Sequence, residues 1–162
     1  MNNLKKLKIF VAGHNGMLGS ALIHKLSKHN EYKIITSNRN KLDLRIQSDV
    51  NDYFYMNKPD KVILSAAKVG GIQANQNNKC EYLYDNLMIQ NNVIEAAAKN
   101  NTQKLVFVGS SCIYPRNCKQ PMKEEYLLSG LLEPTNESYS IAKIAGLKLA
   151  KFYSEKYDIN CI

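Results

Sequence analysis

Several functional classes are excluded by what this chain lacks. Only three of its 22 basic side chains are arginines, Arg39, Arg45 and Arg116. The formal net charge of +8 raises the question of nucleic acid. The lysines, however, are spread along the chain apart from Lys5, Lys6 and Lys8, and asparagine is abundant. That is the composition of a solvated surface, not of a base-reading face, so no nucleic-acid partner is expected. The charge can still steer an anionic nucleotide toward the protein. The four cysteines, Cys80, Cys112, Cys118 and Cys161, form no Cys-x-x-Cys pair, which fits reduced thiols in a reducing compartment. His14, His24 and His29 have no metal-ligand spacing, so no metal is expected. No apolar run approaches the roughly 20 residues that cross a bilayer. The opening Met-Asn-Asn-Leu-Lys-Lys-Leu-Lys has no apolar signal core. No membrane partner and a cytoplasmic location are the expectations. A Ser/His/Asp hydrolase is excluded, because there is no Gly-x-Ser-x-Gly and no histidine after His29.

What is present begins with Lys8 to Ser20. Lys8 to Ala12 reads as a short apolar strand, and Ala21, Leu22, Ile23 and Leu26 continue with a helical period. Between them lies the loop Gly13, His14, Asn15, Gly16, Met17, Leu18 and Gly19. Strand, glycine turn and helix in that order make a phosphate-binding device. Gly13 permits a tight turn, Gly16 lets a ligand approach the backbone, and Gly19 lets the helix pack on the strand. The helix N-terminus offers free N–H groups to a pyrophosphate.

The 162 residues, 44% of them apolar, suggest one domain. Strands are expected at Tyr32–Thr36, Leu42–Leu44, Lys61–Ala67 and Lys104–Gly109, with a further strand starting at Ile159. Helices are expected over Ser48–Asn57, about Glu81–Asn100 and about Asn136–Tyr157. This alternation indicates an α/β, doubly wound parallel sheet of Rossmann type, order 3-2-1-4-5 with a truncated sixth strand. Residues 75–78 read as a polar loop. The stretch from Ser110 to Pro134 is long for a connection, which favours a functional loop.

In a dinucleotide fold the segment after the second strand meets the adenine ribose. A carboxylate there prefers a 2′-hydroxyl, and a basic residue accommodates a 2′-phosphate. Arg39 therefore favours NADP over NAD, with Asp43 and Leu44 near the adenine. Ala66 and Ala67 end the fourth strand, and Val108, Gly109, Ser110 and Ser111 end the fifth, where ligands bind in open α/β sheets. Asn86, on the long helix, reads equally as a solvated residue or a site residue.

The last helix carries Tyr139 and Lys143, four apart on one face. An ammonium beside a phenol favours phenolate and lowers its pKa. Tyr139 can then exchange a proton with a carbonyl or alcohol, while Lys143 holds ribose hydroxyls. A Ser110 hydroxyl there can hydrogen-bond the reacting carbonyl. The set suits hydride transfer.

Further motifs carry a resemblance that spans nearly the whole chain. They are Gly13 to Ser20, Ala66 to Ile72, Gly109 to Pro115, Gln120 to Met122, Leu132 to Glu137 and Tyr139 to Gly146. They resemble the GDP-L-fucose synthase branch of the extended short-chain dehydrogenase/reductase family, also described as NAD-dependent epimerases/dehydratases. The resemblance implies an NADPH-dependent enzyme acting on a nucleotide sugar. It would epimerise C3 and C5 of GDP-4-keto-6-deoxy-D-mannose and then reduce the C4 ketone. It implies Tyr139 as proton donor, Lys143 as its partner, Ser110 as carbonyl donor and Cys112 as the epimerisation acid/base. It implies a homodimer built from the two long helices. Asn15 stands where the family often has arginine, leaving Arg39 to hold a 2′-phosphate, and Ser138 replaces a common proline. Family members run to about twice this length, so residues 1–162 are expected to be the NADP-binding domain with the C-terminal substrate domain absent. Two alternatives stay open: another sugar-nucleotide epimerase or reductase, and a non-catalytic nucleotide-binding module.

Overall fold

Short apolar runs, each closed by turn residues, build a parallel sheet. The computed structural model describes residues 5–162, so the first four residues of the opening segment lie outside the described residues. Leu7–Ala12 (β1) is buried over its last four residues, as a strand covered on both faces must be. Tyr32–Ile35 (β2), Lys61–Leu64 (β3), Lys104–Phe107 (β4) and Asn160–Cys161 (β5) complete a five-stranded sheet of order β2-β1-β3-β4-β5. All pairings are parallel. The chain moves one way from β1 to β2, then returns to β1's other side with β3. A crevice opens where the order reverses, at the carboxyl ends of β1 and β3.

Leu42–Leu44 is not a strand. The amides of Lys41 and Leu42 both donate to the Asn38 carbonyl, and the Ile46 amide donates to that of Asp43. These turns occupy the backbone groups that a ladder needs. Leu42 is buried in the core all the same. The apolar–polar–apolar pattern thus reports burial, and β2 forms the sheet edge.

The helices are Met17–Leu26 (α1), Gln47–Asn57 (α2), Ile72–Asn77 (α3), Lys79–Lys99 (α4) and Glu137–Lys156 (α5). The polar segment expected as a loop at 75–78 instead folds mostly as α3. There Asn75 Nδ2 donates to the carbonyls of Gly70 and Gly71. Phe10 of β1 meets Phe54 of α2 edge-on, with ring centroids 5.8 Å apart, and Val62, Leu64, Val93, Ile94 and Leu105 fill the same core. The helices α4 and α5 run along each other over β3 and β4. Gly146 makes their close approach possible, because a Cβ there would stand 2.5 Å from Gln90 Oε1 and 2.6 Å from the Phe107 ring. Gln90 Nε2 donates to the Ala142 carbonyl at 2.7 Å, which fixes the height of α5 beside the sheet. Among the described residues, no helix is long and apolar enough to cross a membrane.

Candidate active site

The glycine loop turns sharply because Gly13 has a φ of +92°, a conformation L side chains avoid. A Cβ on Gly13 would also crowd the Ala66 amide nitrogen at 2.6 Å, and one on Gly19 would run into the Gly13 backbone. Gly16 differs. Its φ is −76°, and an added Cβ would meet only the Gly13 carbonyl oxygen at 3.4 Å. The protein's own packing therefore does not demand glycine at position 16. The space in front of Gly16 is open and belongs to the cavity described next, so the loop forms a cradle. Gly16 caps α1 with no side-chain hydrogen bond, and the first turn carries no acidic residue. The first amides of α1 and their partial positive charge thus face that space.

A cavity of about 620 Å³ starts at this cradle. Gly13 to Gly19, Arg39, Asp43, Leu44, Ala66, Ala67, Val108, Tyr139 and Lys143 all line it. Gly109, Ser110, Ser111 and Cys112 lie just past β4, beyond the cavity lining. There Ser111–Ile113 forms a short 3-10 turn. The Cys112 amide donates to Ser110 Oγ at 3.3 Å. This leaves the Ser110 hydroxyl proton to donate elsewhere. Asn136 Nδ2 donates to Cys112 Sγ at 3.1 Å, and Asn136 immediately precedes α5, so thiol and phenol are placed from one helix start.

Lys143 is buried, and its Nζ donates to the Val108 carbonyl at 2.8 Å. The same ammonium lies 5.9 Å from the centre of the Tyr139 ring. Burial lowers the Lys143 pKa from 10.5 to about 8. The expected lowering of the Tyr139 phenol is not seen. Burial pushes it above its ordinary 10.0, the neighbouring Cys112 adds to the rise, and only a hydrogen bond from Ser110 opposes it. With its ammonium directed at a backbone carbonyl, Lys143 has no leading effect on the phenol. The arrangement keeps a protonated phenol at neutral pH, which is the form that donates.

Asn86 is neither solvated nor a cavity residue. It is buried, accepts from the Lys68 amide at 2.8 Å and donates to the Lys68 carbonyl at 3.0 Å. It thereby fixes the segment that follows Ala67. Sequence reading passed over Arg45, Lys68 and Asp85 as site residues, yet all three line the cavity. Arg45 grips Asp43 through Nη2 at 2.6 Å and Nε at 3.0 Å. The signal available was spacing: Arg45 stands two residues from Asp43, and Asp85 immediately precedes Asn86. Arg39 is 69% exposed in its side chain, and its Nε stands 3.9 Å from Asp43. Asn15 Nδ2 donates to Asn38 Oδ1 at 3.2 Å, tying the glycine loop to the turn after β2.

Comparison with known proteins agrees with this geometry. The model of the NAD dependent epimerase/dehydratase family matches residues 9–162. GDP-L-fucose synthase of Escherichia coli (strain K12) is 47% identical over 154 residues, which is 95% of this chain and 48% of the relative. MlghC, a GDP-mannoheptose C4 reductase from Campylobacter jejuni solved with NADP bound, has a TM-score of 0.93 at 42% identity. That match covers 98% of this chain and 50% of that one. A GDP-L-fucose synthetase from Naegleria fowleri bound to NADP gives a TM-score of 0.88 at 28% identity, covering 97% and 52%. The chain spans about half the length of these relatives. From sheet order, glycine cradle and family match together, the chain belongs to the NAD dependent epimerase/dehydratase family.

Proposed function

We propose that residues 1–162 are the NADP-binding Rossmann domain of an epimerase/reductase that converts GDP-4-keto-6-deoxy-D-mannose to GDP-L-fucose. One observation carries this reading: the glycine cradle and the Tyr139–Lys143 pair line a single cavity. A cavity lined at once by the cradle and by this pair suits a dinucleotide whose diphosphate rests on the α1 amides. The NADP-bound relatives support the choice of cofactor. When bound, NADPH supplies the hydride for the C4 ketone.

The chain's own residues do the rest. C3 and C5 lie next to the ketone, so their protons are acidic. Cys112 Sγ serves as the acid/base on one face of the sugar, and inversion uses a second acid/base group on the opposite face, from the half that the relatives carry in addition. The Asn136 amide donates to Sγ and so holds the sulfur in place. Ser110 donates its hydroxyl proton in a hydrogen bond to the C4 oxygen, and Tyr139 transfers its phenol proton to the same atom. Lys143 holds the ribose hydroxyls. Two copies pair through α4 and α5, where Tyr84, Ile141 and Phe152 are exposed apolar side chains. The expected location is the cytoplasm.

A second reading, a GDP-sugar C4 reductase that does not epimerise, draws support from the likeness to the Campylobacter jejuni reductase. Turnover in D₂O separates the two, because epimerisation places deuterium at C3 and C5 and plain reduction does not. NADPH oxidation with the keto sugar nucleotide is measured for the chain alone and for the chain joined to the second half its relatives carry. Tyr139→Phe lowers turnover by about 10²–10⁴-fold on this reading. Turnover unchanged in Tyr139→Phe overturns it.

A further inference from the structure

Five charged side chains alternate in sign along one wall of the cavity. Lys68 Nζ lies 3.1 Å from Asp85 Oδ2, and Asp85 Oδ1 lies 3.3 Å from Arg45 Nη1. Arg45 then closes a two-pronged fork on both oxygens of Asp43. Asp43 Oδ2 finally stands 3.9 Å from Arg39 Nε. All five groups line the cavity. Three cations face two carboxylates, so one positive charge is left over.

Geometry places that surplus at Arg39. The Asp43 carboxylate has both oxygens taken by Arg45, in the bidentate arrangement that makes arginine–carboxylate pairs strong. Its contact with Arg39 is long and the arginine is mostly exposed, a type of pair that contributes little. Arg45 in turn is held from α4 by Asp85, whose carboxylate is mostly covered and is steadied by Lys68. The Arg45 hydrogen bonds hold the Asp43 carboxyl near 2, so it is ionised throughout the neutral range.

An ionised carboxylate beside an adenine ribose ordinarily selects a 2′-hydroxyl and repels a 2′-phosphate. Asp43 is expected near the adenine, but its Oδ2 stands 3.9 Å from Arg39 Nε, so its charge acts on the same 2′-phosphate that Arg39 would hold. We propose that Arg45 is a specificity-determining positioning residue: it occupies Asp43, so that the carboxylate neither repels a 2′-phosphate nor captures Arg39. Asp85 is the anchor that keeps Arg45 there. This rests on the reading above that the adenosine end of the cofactor lies at Arg39–Leu44. It adds that the preference for NADPH is set by a residue that does not touch the phosphate.

The test is the ratio of NADPH to NADH affinity, titrated by nucleotide fluorescence on the 162-residue chain. Arg45→Met frees Asp43, so NADPH affinity falls about tenfold while NADH stays within about twofold. Adding Asp43→Asn in the Arg45→Met background restores the ratio, because no carboxylate is left to neutralise. Asp85→Asn moves the ratio the same way by a smaller factor. Should Arg45→Met not fold, Arg45→Lys keeps the charge but loses the fork and gives an intermediate ratio. A merely structural Arg45 would weaken both nucleotides equally and would not be rescued by Asp43→Asn, and that result overturns the inference. Binding of both nucleotides with an unmoved ratio in Arg45→Met overturns it alone. Binding of neither by the unsubstituted chain overturns the dinucleotide reading itself, and this inference with it.

Discussion

Replacing Gly16 and Gly19 by alanine, one at a time, separates what the fold needs from what the ligand needs. At Gly16 the backbone angles suit any residue, and the new methyl meets only the Gly13 carbonyl oxygen at 3.4 Å. The stability cost is that of a poorer N-cap, about 0.5–1 kcal/mol, or a fall in Tm of about 1–4 °C for a chain of this size. The methyl nonetheless fills the cradle and keeps a diphosphate off the first amides of α1. Losing those charge-assisted hydrogen bonds costs about 1.5–3 kcal/mol, roughly 10- to 150-fold in Kd. Gly19→Ala is the opposite case. Its methyl would stand 2.8 Å from both the Gly13 carbonyl carbon and His14 Cα, so backbone must move. Overpacking of this kind costs about 1–3 kcal/mol. Thermal melts and NADPH titrations on both variants check the contrast. The expected result is weak binding with a near-normal Tm for Gly16→Ala, and a clearly lower Tm for Gly19→Ala. Full NADPH affinity in Gly16→Ala, or equal destabilisation of the two, refutes the reasoning.

Lys143 gives a prediction with a definite sign. Its folded pKa is about 8 against 10.5, so between these values the unfolded chain binds more protons and stability rises with pH. The gap corresponds to about 3 kcal/mol in full. Lys143→Met should therefore be as stable as the unsubstituted chain or more so at pH 7, with the advantage shrinking from pH 8 to pH 9.5 in urea melts. Asp43, held at about 2 against 3.8, acts the other way. The stability it contributes is present above pH 4 and is lost as pH falls toward 2. The difference between the unsubstituted chain and Asp43→Asn, about 1 kcal/mol after allowance for solvent screening, should close over that window. Asn86→Leu strands the Lys68 amide and carbonyl. It should cost about 1–3 kcal/mol, read by urea melts. Sedimentation velocity should show a dimer that Phe152→Glu weakens, and a monomer at all concentrations would count against pairing through α4 and α5.

The sequence was most legible where one local signal has one physical cause. Buried parallel strands need continuous apolar runs, so β1, β3 and β4 stood out in the letters. The glycine loop was legible for the same reason, since Gly13 and Gly19 have no tolerated alternative. Leu42–Leu44 misled because alternation records which side chains are buried and not which amides are paired. Residues 75–78 misled because polar composition hides a helix whose asparagine serves its own backbone. The Tyr139–Lys143 pairing was legible as spacing, but the phenol's raised pKa was not. That depends on burial and on where the ammonium points, toward Val108. The ladder from Lys68 to Arg39 joins residues far apart in the chain, and no local pattern announces it.

The central claim is that this chain holds a pyridine dinucleotide along one cavity, from the glycine cradle to Tyr139. Isothermal titration calorimetry of the folded chain with NADPH, and separately with NADH, tests it most directly. The account predicts saturable heat at one site per chain, with NADPH the tighter ligand. Absence of heat with both nucleotides, on protein shown to be folded by its melting transition, contradicts it.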